Sequence, residues 1–83
     1  MAVFTQFAIA GRYLNAVALT PNDGVDLAQV MEVRCGAAGT VQFTPAGGQA
    51  PLTLTMAAGE WLPCQVIRVW ATGTTATPLT GVY

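Results

Sequence analysis

Apolar and polar residues alternate at every second position over several stretches of the chain, and that period sets one group of side chains on each face of a strand. In "VMEVRC", Met31, Val33 and Cys35 share a face opposite Glu32 and Arg34, the apolar-in, polar-out pattern of a half-buried strand. "TVQFT" repeats it with Val41 and Phe43. "PLTLTM" sets Leu52, Leu54 and Met56 inward against Thr53 and Thr55, β-branched residues that suit a pleated surface. "QVIRVW" divides into Val66, Arg68 and Trp70 on one side and Ile67 and Val69 on the other, which predicts a strand covered on both faces. Further strands are expected over "YLNAVALT", weakened by its alanines, and over residues 79–83.

Turn signals separate these runs: Asn22-Asp23-Gly24, "GAAG" at 36–39, "PAGGQAP" at 45–51 and "AAGE" at 57–60. Short strands at about ten-residue spacing with such turns predict an all-β fold, a small antiparallel β-sandwich or barrel-like domain. We place this single domain over residues 13–83, preceded by an N-terminal arm or short helix over residues 1–12. Val3, Phe4, Phe7 and Ala8 fit one helical stripe, and fit equally an arm lying over a neighbour. Thr72, Thr74, Thr75 and Thr77 surround Gly73, and their hydroxyls are expected to satisfy nearby backbone groups in a tight hairpin or bulged turn before the last strand.

Composition changes the picture from a domain to an assembly. The 83 residues are 53% hydrophobic and 8% charged, whereas an average soluble domain carries about 25% charged residues. A chain this short buries only about 60% of its unfolded surface, so a monomer exposes much apolar area, and large apolar patches mark contact surfaces. A membrane is not the expected destination. The longest uncharged run, between Arg34 and Glu60, contains Pro45, Pro51 and several glycines and is no apolar helix. The apolar tract of "MAVFTQFAIAG" precedes the first basic residue, Arg12, the wrong order for a secretory signal, so export is not expected. A net charge of −1 with three arginines and no lysine lacks the basic surface that nucleic acid requires.

Candidate chemistry is sparse. The chain has no histidine, lysine or serine, which removes the Ser-His, Cys-His and lysine nucleophile arrangements. The acids Asp23, Asp26, Glu32 and Glu60 form no pattern that sets a catalytic spacing. "NDGVD" reads as a turn, because it lacks the ligand ladder and the closing glutamate of a calcium loop. Cys35 and Cys64 stand in no CxxC or Cys/His array and read as small buried hydrophobes, with a disulfide as the alternative. Trp61 and Trp70 suit either a core edge or subunit contact, or a sugar-stacking platform. Arg34 and Arg68 are expected to pair with Glu32 or Glu60, or to cross to a neighbouring subunit. Neither catalysis nor a cofactor is expected.

Three blocks in order, "AVALTPNDGVDLA", "GAAGTVQFTPAGGQAPLTLTMAAGEWLP" and "IRVWATGTTATPLTGVY", resemble the small head-spike base proteins of tailed bacteriophages and gene transfer agents. The likeness spans residues 16–83. It rests most on the arginine strand followed by "ATGTTAT" and a short last strand, with "TPND" early and Gly59, Leu62 and Pro63 as a G-x-x-L-P element. "MAVFTQFAIAGRYL" departs from it, being apolar where such arms are usually more polar. The resemblance implies a non-enzymatic virion structural protein, assembled in the host cytoplasm, that forms the symmetric oligomeric base of a capsid spike, with a pentamer favoured over a trimer and a tail-associated ring also compatible with so small a module. The implied partners are further copies, the major capsid protein and a spike or fibre. A trimeric capsid cement or decoration protein, or a glycan-binding module for host attachment, is the alternative. The expected subunit or partner interface comprises Phe4, Phe7, Tyr13, Trp61, Arg68, Trp70, Thr72, Thr74, Thr75 and Tyr83. Its proposed physical basis is that a charge-poor Thr/Gly segment packs on a neighbour without desolvating ionised groups.

Overall fold

The computed structural model describes residues 13–83; the expected arm or helix over residues 1–12 lies outside them. Six strands follow in order, β1 (Ala16–Leu19), β2 (Glu32–Cys35), β3 (Gly39–Pro45), β4 (Leu52–Met56), β5 (Val66–Trp70) and β6 (Leu79–Val82). They form two three-stranded antiparallel sheets, β1-β6-β2 and β4-β3-β5. The all-β expectation holds, in its sandwich form. The sheets are also stitched along one side, where Met31 and Val66 exchange backbone hydrogen bonds of 3.1 and 2.8 Å.

Alternation explains most of the core. Val33 and Cys35 of β2 are fully buried and neighbouring Met31 nearly so, while Arg34 points to solvent. Val41 and Phe43 of β3 meet them from the other sheet, with Leu62, Ala76 and Leu79 completing the cluster. Phe43 is the largest fully buried side chain, and burying a side chain of that kind contributes about 1.5–3 kcal/mol. Leu52 departs from its expected place. It is 41% exposed at the margin of its sheet, and only Leu54 and Met56 of β4 reach the core.

Strand β5 breaks the period, which corrects the face assignment made from alternation. Thr44 pairs with Arg68 but Pro45 pairs with Val66, so Ile67 is the extra residue of a β-bulge. Pro45 has no N–H to donate, which suits it to an interrupted ladder. Past the bulge the phase is inverted: Val66 and Val69 are both buried, and Arg68 and Trp70 lie on the other face, half-buried.

The last strand in the chain is central in its sheet, with β1 and β2 on either side of β6. Gly81 makes this possible. A Cβ there would stand 2.6 Å from Met31 Sδ and 3.1 Å from Leu19 Cδ1, so the missing side chain leaves the space that these two fill. Residues 71–78 are therefore no hairpin, which corrects that form of the expectation: they carry the chain from β5 in one sheet to β6 in the other. A tight turn does lie at Thr72-Gly73, where the Thr74 N–H donates to the Ala71 carbonyl at 3.4 Å.

Candidate assembly surface

The threonines of the crossover bond a distant strand. Thr75 Oγ1 accepts the Thr40 N–H at 2.9 Å, and Thr74 Oγ1 accepts the Gln42 N–H at 3.0 Å. In return, the Thr75 and Ala76 N–H groups donate to the Thr40 carbonyl, and Thr40 Oγ1 donates to the Gly73 carbonyl at 2.8 Å. Strand β5 ends opposite Gln42, and from that point the crossover takes over as the partner of β3. Local satisfaction around Gly73 had been expected; the bonds run over 30 residues instead. Two glycines permit the approach. A Cβ on Gly39 would stand 2.6 Å from Thr75 Oγ1 and 2.9 Å from Ala76 N, and Gly73 has φ +86° with Gln42 Oε1 2.5 Å from where its Cβ would lie.

The outer edge of β5 is sealed by the loop before β2. Asn22 N–H donates to the Val69 carbonyl and Leu27 N–H to the Ile67 carbonyl, while Asn22 Oδ1 closes its own turn on Gly24 N–H. Arg68 locks this loop through Asp26, at 2.8 Å, and the Asp23 carbonyl, at 3.0 Å, with its guanidinium 5.1 Å from the centre of the Trp70 ring. The partner is thus neither Glu32 nor Glu60, and among the described residues Arg34 makes no ion pair. The bulge explains the difference, because it turns Arg68 toward the loop rather than toward the other sheet. Asp23 accepts both the Thr72 hydroxyl, at 2.6 Å, and the Thr72 N–H, at 2.9 Å. The hydroxyl bond first, then the amide bond, holds its carboxyl below the ordinary value of 3.8.

The aromatic candidates do not converge on one cleft. Trp70 donates its indole N–H to Thr44 Oγ1 at 3.0 Å and stacks under Arg68. Trp61 bridges to Arg34 at the margin of β2, half-buried. Tyr83 and Asn15 exchange backbone bonds of 3.0 and 2.9 Å at the end of β6, and Tyr13 is half-buried nearby in sequence. Phe4 and Phe7 lie outside the described residues. Cys35 and Cys64 are both free thiols. Burial pushes both up, with help from Glu60 at Cys35 and from Glu32 at Cys64, so neither is poised as a thiolate.

Two strand edges have no partner among the described residues, and sequence reasoning missed both. The Asn15–Tyr83 exchange fixes the phase of the β1–β6 ladder, so Val17 and Leu19 bond inward and the N–H and C=O of Ala16 and Ala18 point away from β6. By the same alternation, Thr53 and Thr55 of β4 face outward, since Thr40 and Gln42 of β3 bond the crossover side. Beside the β1 edge, Leu14 is 92% exposed and Val17 38%. The signal was present in "LNAVALT", a strand-like run without the charge, proline or glycine that ordinarily protects an edge.

Neither a family model nor a curated protein matches the chain. A solved structure does: a chain from the capsid of a native gene transfer agent particle, computed with C5 symmetry, is similar with a TM-score of 0.77 and 35% sequence identity, over 100% of both chains.

Proposed function

We infer the function from one premise: the chain belongs to the family of that gene transfer agent capsid component, which it matches from end to end. It is a structural protein of an assembled virion-type particle, without catalytic activity. Within that role the finer reading is the symmetric base of a capsid spike, a homo-oligomer, five copies before three, that meets the major capsid protein on one side and a spike or fibre on the other. The full-length likeness at 35% identity carries the virion structural role; the spike base within it rests on the arginine strand and the "ATGTTAT" block that follows it.

The surface is suited to it. The hydroxyls of Thr72, Thr74 and Thr75 are already paired within the chain, as is the Trp70 indole N–H. Covering these side chains with a neighbour therefore leaves their own hydroxyl and indole groups paired, where an unpaired buried donor or acceptor would cost about 1–3 kcal/mol. Light scattering on the purified protein tests the reading. A discrete multiple of 8.6 kDa is expected, and five-fold mass marks a vertex base. A stable monomer at micromolar concentration would sink it. A saturable tryptophan fluorescence shift with host polysaccharide would favour a glycan-binding module instead.

A further inference from the structure

The four edges of the two sheets are treated unequally. The chain covers the edge of β2 with residues 59–62, through Cys35 N–H to the Glu60 carbonyl and Leu62 N–H to the Val33 carbonyl, and covers the edge of β5 with residues 22–27. The edge of β1 presents the N–H and C=O groups of Ala16 and Ala18 and is flanked by the exposed side chains of Leu14 and Val17. An uncharged, unprotected edge of this kind is a template for another strand.

The occupant is given by the chain that lies outside the described residues and by where it joins. Twelve residues precede Tyr13, immediately before β1. Residues 2–10, "AVFTQFAIA", contain no charge, glycine or proline, and Val3, Phe4, Thr5, Phe7 and Ile9 favour a pleated strand. The domain measures 37 × 25 × 23 Å, and residues 2–10 laid extended along an edge span about 30 Å. Residues 11–15 connect them to β1, so the accepting copy lies directly beside the start of that strand.

We propose that residues 2–10 of one copy add as a strand to the β1 edge of the next, bonding the outward backbone groups of Ala16 and Ala18. The contact is heterologous, arm to edge, and repeats into a closed ring or an open filament according to its rotation. Leu14 and Val17 are then covered by the donated strand. This rests on the self-assembling virion role proposed above and names the contact through which the copies join.

The test separates donor from acceptor. Ala18→Pro removes one outward N–H and leaves the β6 ladder intact, the position at which proline is tolerated on an edge strand; deletion of residues 1–11 removes the donor. Each variant alone should remain folded by circular dichroism and lose assembly by light scattering. Mixed, they should form a 1:1 pair, because one retains the arm and the other the edge. In the unaltered protein, hydrogen exchange at the Ala16 and Ala18 amides should be as slow as at Val17 and Leu19 in the assembly and become fast on dilution to the monomer, and this decides the matter if the proline variant fails to fold.

Unchanged assembly of Ala18→Pro overturns the proposal, as does fast exchange at Ala16 and Ala18 in the assembled protein. Absence of a mixed pair also overturns it. Loss of assembly in Thr55→Pro, with Ala18→Pro unaffected, assigns the contact to the β4 edge. A monomeric unaltered protein is a different failure, since it removes the assembly role itself.

Discussion

Strands β5 and β1 both lie at the margin of a three-stranded sheet, and the chain treats them in opposite ways. Along β5 a loop is held by Asn22 and Leu27 backbone bonds and locked by Arg68 on Asp26. Along β1 no described residue bonds Ala16 or Ala18, and the neighbouring Leu14 stands almost wholly in solvent. Charge follows the same division. Asp23, Asp26 and Arg68 gather at β5, and Glu32, Arg34 and Glu60 lie on or beside β2, whereas β1 and β4 carry none. Among the described residues, ionised groups thus sit beside the edges that are closed within the molecule and are absent from the two strands whose edges stay open. A charge on an open edge must be desolvated when a neighbour arrives, and a charge on a closed edge need not be. The division separates strand edges closed within the fold from strand edges open to another strand.

Four substitutions sharpen or break that division. The largest effect is expected at Gly39→Ala, where the added methyl group meets the crossover at backbone distance; overpacking of this kind is destabilising by about 1–3 kcal/mol, measurable by urea denaturation. Arg68→Met should cost about 1 kcal/mol, since it removes the Asp26 pair and the Asp23 carbonyl bond from a partly exposed site. That loss should shrink at high salt; a loss independent of salt would show that packing on Trp70 holds the loop rather than charge. Thr75→Val keeps the shape and removes the acceptor of the Thr40 N–H, for a loss of about 0.5–1 kcal/mol. Ala18→Lys, on the open edge, should change stability by less than about 0.5 kcal/mol yet abolish the oligomer by light scattering. A stability loss as large as that at Arg68 would end the distinction between the two margins.

The smallest effect is a pH dependence. The folded Asp23 carboxyl titrates below its ordinary 3.8 because Thr72 bonds its charged form. As acid is added the unfolded chain takes up that proton first, so the contribution is whole above 3.8 and is lost as pH falls through the folded value. Urea midpoints measured down to strong acid should fall less steeply for Asp23→Asn than for the unaltered protein.

Much of the fold was legible along the chain. Period-two alternation located β2, β3 and β4 and chose the buried faces of β2 and β3, because side-chain direction in a regular strand depends only on position parity. Low charge and high apolar content pointed to assembly without reference to any coordinate, since the area a short chain can bury is bounded by its size. The absence of histidine, lysine and serine narrowed the chemistry in the same way.

Where parity is interrupted, or where a partner lies far away in the chain, only the tertiary structure decided. The bulge at Ile67 inverted the faces of β5 and delivered Arg68 to Asp26, 42 residues away; nothing local to "QVIRVW" records that Pro45 would lie opposite. The threonines promised hydroxyls to some backbone, but Thr40 and Gln42 became their partners only once the crossover passed β3. Which edges close and which stay open is likewise a property of strand order, and strand order follows from how distant segments pack rather than from the residues of any one strand.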